Sequence, residues 1–131
     1  MVETINLKNI LVVSAGGIIG SQTRWVFSRF IVNDGFPWAT LTVNYVGSAI
    51  LMTLLMYLQH HKNPRWWWRP GLGAGFCGGF TTYSAFAVKM DQYFQAHNYG
   101  SALSYAIASL LGTYIVVFVV HEALKNKWVN P

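Results

Sequence analysis

Acidic residues and cysteine are scarce in this chain, and their scarcity argues against several classes of protein. Four acidic side chains accompany nine lysines and arginines among 131 residues, and charged residues make up 10% of the sequence. A soluble domain carries about 25% charged residues, so this composition argues against a soluble fold. The single cysteine, Cys77, cannot form an internal disulfide, and neither a metal-ligand spacing nor a nucleophile–base set indicates an enzyme.

The net charge of +5 does not indicate a nucleic-acid partner. A nucleic-acid-binding surface needs a basic face on a soluble fold, whereas the basic residues of this chain flank apolar runs. Tryptophans accompany them, as in the sequence RWWWR at 65–69. This pattern is typical of residues that anchor helices at a membrane interface, and it predicts a protein embedded in a lipid bilayer.

Uncharged stretches long enough to cross a bilayer recur along the chain. Such a helix needs about 20 mostly apolar residues. The ranges 39–58, 70–88 and 98–120 are uncharged, and Arg24 and Arg29 interrupt a further apolar stretch. We therefore predict an all-α membrane protein with one domain over 1–131. Its four spans are expected at about 6–31, 39–59, 70–95 and 99–123.

The third span combines clustered glycines with clustered hydroxyls. Five glycines between Gly71 and Gly79 precede the sequence TTYS at 81–84. Glycine weakens a helix, and hydroxyls offer its backbone other hydrogen-bond partners. Irregular backbone is tolerated in a bilayer where it is buried in protein or lines a cavity. We predict a break between Gly78 and Ser84, with a continuous glycine-rich packing helix as the alternative.

Polar residues recur every four positions in two other spans and so share one face of each helix. They are Thr40, Asn44 and Ser48 in the second span, and Ser101, Tyr105, Ser109 and Thr113 in the fourth. A single polar face could simply serve hydrogen bonding between neighbouring helices. Two faces beside a broken helix favour a polar pathway.

The solute of this pathway is predicted to be a small anion or a neutral molecule, because the acidic residues fall at span ends or in loops. These residues are Glu3, Asp34, Asp91 and Glu122. Tyr83 and Phe86 lie three residues apart, and the electropositive edges of their rings could contact an anion without holding it tightly. Arg24 would add a positive field at the entrance, unless its side chain extends to the membrane interface instead.

Three stretches resemble the bacterial CrcB/Fluc fluoride channels, and the likeness extends along nearly the whole chain. They are GGIIG at 16–20 with Arg24-Trp25 after it, TLTVN at 40–44, and GFCGGFTTYSAF at 75–86. The resemblance implies a channel that passively exports fluoride across the bacterial inner membrane. It also implies an antiparallel dimer of dual topology, with two pores that are each lined by both subunits.

The resemblance assigns roles to individual residues. It implies a pore asparagine at Asn44, a vestibule arginine at Arg24, and a structural sodium ion at the dimer centre, held by the main-chain carbonyls of Gly78 and Thr81. No organic cofactor is implied. Together with the two polar faces, the predicted pore-lining residues are Thr40, Asn44, Tyr83, Ser84, Phe86, Tyr105, Ser109 and Thr113.

Three positions depart from the family pattern. The resemblance places the two phenylalanines of the family's phenylalanine box at Tyr83 and Phe86, so Tyr83 departs from the usual residue of the first box position. Ala85 replaces a frequent threonine, and Lys89 replaces a frequent glutamate. The resemblance therefore leaves open what the Tyr83 hydroxyl contacts and how anions enter near Lys89.

Two other functions and two modes of pairing stay open at this point. A small multidrug exporter needs a carboxylate in its first span, and none lies between Ile5 and Val32. A non-transporting assembly subunit would not need two aligned polar faces. The dimer is predicted to be a homodimer, with pairing to a related chain of opposite orientation as the alternative.

Overall fold

The computed structural model describes residues 6–31 and 34–128, and within these ranges the chain is helical, without strands. Helix α1 spans Leu7–Phe30 and α2 spans Trp38–His60. Helix α3 consists of the π-helical segment Trp68–Cys77 and the α-helical turn Gly78–Phe80. Helix α4 spans Ser84–Gln95 and α5 spans Tyr99–Trp128. Glu3 and the two ends of the predicted domain lie outside the described residues.

Among the described residues, three helices are long and apolar enough to cross a membrane, and they fall where three of the spans were predicted. These helices are Leu7–Phe30, Trp38–His60 and Tyr99–Lys127. The third predicted span, 70–95, is not one helix, because α3 and α4 are separated at residues 81–83. The structure thus has the predicted break. A fourth crossing would have to be made by α3 and α4 together.

Helices α1 and α3 lie so close that their backbones touch along a seam of glycines. A Cβ atom at Gly16 would overlap the Gly71 carbonyl oxygen, and one at Gly20 would overlap the Phe76 carbonyl oxygen. On the α3 side, a Cβ atom at Gly75 would lie only 2.7 Å from the Val13 carbonyl oxygen. The glycine spacing in α1 therefore serves the close helix approach that such spacings allow in membranes.

Alanine at Gly20 should destabilise the fold, whereas alanine at Gly17 should not. The methyl group at position 20 would meet the rigid backbone of α3, and overpacking of this kind costs about 1–3 kcal/mol. At Gly17 the nearest heavy atom to an added Cβ is 3.9 Å away. We expect thermal unfolding in detergent to show a lower melting temperature for Gly20→Ala and an unchanged one for Gly17→Ala. Equal melting temperatures for both variants would contradict the seam.

Helix α2 is central, because it packs against both α3 and α5. The Tyr45 hydroxyl of α2 donates a hydrogen bond to the Ala108 carbonyl of α5, and it lies where a side chain at Gly112 would otherwise stand. A small buried cluster formed by Leu41, Tyr93, Ala102 and Tyr105 joins α2, α4 and α5. These contacts fix the face of α5 that lies beside the helix break.

The outer faces of the helices are strongly apolar. Ile18 of α1 is 64% exposed and Leu110 of α5 is 72% exposed. No charged residue of the described chain is buried, and the buried residues that carry a hydroxyl are Tyr93 and Tyr105. Large exposed apolar surfaces of this kind mark contact with a membrane or another protein, as expected for helices with a span-length apolar run.

Candidate functional site

A groove of about 630 Å³ runs between α2, the α3–α4 break and α5. Leu51 and Leu110 contribute apolar surface, and Ser48 and Thr82 contribute hydroxyls. The predicted site residues that line the groove are Asn44, Gly78, Thr81, Tyr83, Phe86, Ser109 and Thr113. The structure thus brings the polar faces of α2 and α5 together at the broken helix.

The break is held by the side chain of Asn44. Its Nδ2 atom donates to the Thr82 carbonyl oxygen at 3.0 Å, and its Oδ1 atom accepts the Thr82 N–H at 2.8 Å. In a continuous α-helix this N–H would donate to the carbonyl of Gly78, four residues earlier. Asn44 therefore substitutes for a helical partner, and one N–H of its amide stays available to the groove.

Thr82 contributes to the geometry of the break, although it is not among the predicted site residues. Besides its two bonds to Asn44, its Oγ1 atom accepts the Ala85 N–H at 3.2 Å at the start of α4. The same Oγ1 lies 3.1 Å from Ser84 Oγ. A threonine just before a helical run is a helix-start signal, so the sequence did contain a pointer to Thr82.

Arg24 lies against the break. Its Nη1 atom donates to the Thr81 carbonyl oxygen at 3.1 Å in a partly buried position. This contact joins α1 to the broken backbone. It was not part of either expectation for Arg24, which were a positive field at the entrance and extension to the membrane interface. The guanidinium therefore contacts the backbone at the break, although Arg24 is not among the residues that line the groove.

The predicted box aromatics are neighbours in space. The Tyr83 and Phe86 ring centroids are 5.6 Å apart, and Phe86 lies 5.0 Å from the ring of Tyr105. Tyr83 is 79% exposed, so its ring stands at the open side of the groove. Three aromatic rings thus lead from this open side towards the interior of the subunit.

Tyr105 differs in position from the other residues on its helical face. Ser109 and Thr113 line the groove, whereas Tyr105 is fully buried next to Phe86. Its hydroxyl is buried and has no partner in hydrogen-bond geometry within the described chain, although Thr40 is nearby. An unpaired buried hydroxyl is unusual in proteins and needs an explanation.

Two further predicted residues lie outside the groove. Thr40 lines a separate cavity of about 280 Å³, together with Ala85, Lys89 and Gln92. Ser84 is exposed at the start of α4, where its hydroxyl contacts Thr82. The predicted pore residues are therefore distributed over a groove, a smaller cavity and the buried Tyr105 between helices.

The main chain at the break is compatible with a bound sodium ion. Asn44 diverts the Thr82 N–H from the Gly78 carbonyl, and Gly78 is exposed with open space around its α-carbon. The Thr81 carbonyl accepts one bond from Arg24, which leaves its second lone pair. Carbonyl oxygens suit hard cations, although two of them supply only part of a coordination shell.

Comparisons with known proteins identify the family of this chain. The family model described as "CrcB-like protein, Camphor Resistance (CrcB)" matches residues 11–121, which include the groove, the break and the glycine seam. The chain belongs to the CrcB family. Three relatives in that family bear the name fluoride-specific ion channel FluC or FluC 2.

These CrcB relatives come from three different organisms. The chain is 38% identical to the protein of Caulobacter vibrioides over 80% of its own length and 86% of the relative. It is 39% identical to the Koribacter versatilis protein over 72% of its own length and 77% of that relative. It is 37% identical to the FluC 2 protein of Halalkalibacterium halodurans over 81% of its own length and 78% of that relative. The names are those of channels rather than enzymes, and its apolar helices make this CrcB chain a membrane protein.

Proposed function

We propose that this chain is a subunit of a fluoride-selective channel and that the groove is its share of the pathway. The observation that carries the proposal is the broken helix, opened by Asn44, beside hydroxyls of α5 and the rings of Tyr83 and Phe86. Hydroxyl and amide groups donate hydrogen bonds to an anion. No carboxylate lines the groove among the described residues.

The competing functions have less support. Helix α1 contains no carboxylate, so proton exchange for a cationic drug has no group to carry it there. A non-transporting subunit would have no use for amide and hydroxyl groups that line one groove beside a helix break. Membership of the CrcB family, with relatives named as fluoride channels, also favours the channel.

Fluoride efflux from liposomes tests this proposal. Purified protein is reconstituted with internal potassium fluoride, and a fluoride electrode records release after a potassium ionophore is added. A channel should release fluoride at once and retain chloride in parallel vesicles. Drug-driven proton movement without fluoride release would support the exporter, and the absence of any flux would support the assembly subunit.

We also propose that a second subunit in antiparallel orientation completes each of two pores and that the dimer exports fluoride passively across the bacterial inner membrane. Tyr83 and Gly78 are exposed in the single chain, so a partner is needed to enclose an ion there. Enclosure matters because water-exposed groups would bind a hydrated anion only weakly.

The orientation of the chain can be predicted from its charges. Six basic residues lie at the end of the protein that carries the start of α1, the α2–α3 connection and the end of α5. They are Lys8, Lys62, Arg65, Arg69, Lys125 and Lys127. The opposite end carries Arg29 and Lys89, and Arg24 is a third only if it counts as outside the membrane. Positive-inside bias favours the first end in the cytoplasm, whereas a homodimer of antiparallel subunits requires both orientations.

Labelling of Asn63→Cys in a Cys77→Ala background should distinguish these cases. We expect the homodimer, and hence reaction with a membrane-impermeant thiol reagent from both faces of the membrane. Labelling from the cytoplasm only, together with flux that requires a second co-expressed chain, would instead establish pairing with a related protein.

We propose that a sodium ion is held by the main-chain carbonyls of Gly78 and Thr81 from both subunits. When bound, the ion would neutralise carbonyl dipoles and join the two subunits at their broken helices. Thermal unfolding of the purified protein should show a higher melting temperature in sodium chloride than in choline chloride. An identical melting temperature in both salts would contradict a structural sodium ion.

The box aromatics should respond differently to substitution. If ring edges contact fluoride, Phe86→Leu should reduce efflux by roughly tenfold or more, because leucine keeps apolar volume but has no electropositive edge. Tyr83→Phe should change efflux little, since it keeps the ring and removes only the hydroxyl. A large loss in Tyr83→Phe would mean that the hydroxyl, rather than the ring edge, makes the contact.

A further inference from the structure

A second groove lies outside the proposed fluoride pathway. It has a volume of about 490 Å³ and lies where the end of α2 meets the start of α3. Its lining residues are Ala49, Ile50, Thr53, Leu54, Tyr57 and Trp68. The hydroxyl of Thr53 donates to the Ala49 carbonyl of its own helix at 2.8 Å. The groove therefore suits an apolar chain rather than a polar solute.

One end of this second groove is bordered by aromatic rings that stack in series. The His61 ring lies 3.7 Å from the Tyr57 ring, and the Tyr57 ring lies 4.7 Å from that of Trp68. The backbone N–H of Trp68 donates to the Arg65 carbonyl at 3.1 Å. These contacts link the groove wall directly to the α2–α3 connection.

That connection is basic and has no acidic counterpart. Lys62, Arg65 and Arg69 are exposed, and the sequence contains no acidic residue between His60 and Met90. Among the described residues the one ion pair lies on α5, between Lys125 and Glu122. Within the part of the chain that the structure describes, these three cations thus have no ion-pair partner. They lie on the connection between the two groove-lining helices and at the start of α3, where tryptophans mark the membrane interface.

We propose that this second groove binds an anionic phospholipid. An acyl chain would lie along the apolar wall between Ile50 and Tyr57, and the phosphate would contact the side chains of Lys62, Arg65 and Arg69. Basic pockets between membrane helices bind anionic headgroups in this way. Charge complementarity favours a lipid over a second copy of the chain, because a protein partner covering this end would have to desolvate three unpaired cations.

Lipid binding can be measured independently of ion flux. Native mass spectrometry of the full-length protein in detergent, with added phosphatidylglycerol or phosphatidylcholine, should show roughly tenfold or greater preference for phosphatidylglycerol. The triple variant Lys62→Gln/Arg65→Gln/Arg69→Gln should lose this preference. Thr53→Phe, which fills the groove and keeps all three charges, should bind less of either lipid.

Lys127→Gln is the matched control, because it removes one charge at the same end of the protein but away from the groove. It should keep the preference of the unmodified chain. Equal binding of both lipids by the unmodified chain, or an unchanged preference in the triple variant, would overturn the proposal. A disulfide-linked dimer formed through Thr53→Cys, in a Cys77→Ala background, would also overturn it, since a second copy would then cover the groove.

Discussion

Replacing Asn44 by alanine is expected to abolish most fluoride efflux while the helices still form. The substitution leaves both the N–H and the carbonyl of Thr82 without the partner they have in the structure. Each orphaned group costs about 1–3 kcal/mol when it is buried. The backbone would then recover its helical bonds or take up another conformation, and the groove would lose its shape. We expect a decrease in efflux of roughly 100-fold, since every 1.4 kcal/mol is about a factor of ten.

Two variants separate the role of Asn44 from general damage. Asn44→Asp keeps an acceptor for the Thr82 N–H but loses the donor to the Thr82 carbonyl and adds a negative charge. It should fold better than Asn44→Ala and still conduct poorly, because the carboxylate repels an anion. Thr53→Ala removes a hydroxyl of the same helix that bonds to its own backbone outside the pathway groove, and it should retain most efflux. A folded Asn44→Ala protein with unchanged efflux would remove Asn44 from the pathway.

The helical framework was predictable because hydropathy and backbone chemistry act locally. Span-length apolar runs gave bounds close to those of α1 and α2. The break was predictable because glycines and adjacent hydroxyls weaken a helix wherever they occur. The end of α5 was placed too early, at 123 instead of Trp128, since its last turns are polar but continue the helix.

The tertiary partners at the site were not predictable from spacing. Asn44 and Thr82 lie 38 residues apart, and nothing in the sequence pairs them. The same holds for Arg24 and Thr81, which lie 57 residues apart. Helical periodicity placed Tyr105 beside Ser109 and Thr113, but its large ring packs into the buried cluster instead of the groove. Side-chain size, which periodicity ignores, decided that difference.

The π-helical form of the segment Trp68–Cys77 was also missed. A π-helix widens the backbone and is uncommon outside functional sites. Here it precedes the break directly and belongs to the segment whose glycines contact α1. Neither propensity nor hydropathy distinguishes this winding from an ordinary α-helix.

Thiol modification inside the groove tests the central claim that fluoride passes there. Ser109 lines the groove, whereas Ile107 is 48% exposed on α5 and is not among the groove residues. Both are replaced by cysteine in a Cys77→Ala background, because Cys77 itself lines the groove. A bulky reagent attached at position 109 should fill the groove, whereas the same reagent at position 107 should face away from it.

The deciding measurement is fluoride efflux from liposomes before and after complete modification of these two variants, with mass spectrometry to confirm that the thiols have reacted. We predict that modified Ser109→Cys protein loses nearly all efflux, that external fluoride slows its modification, and that modified Ile107→Cys protein keeps its efflux. Full modification of Ser109→Cys with unchanged efflux would contradict a fluoride pathway through this groove.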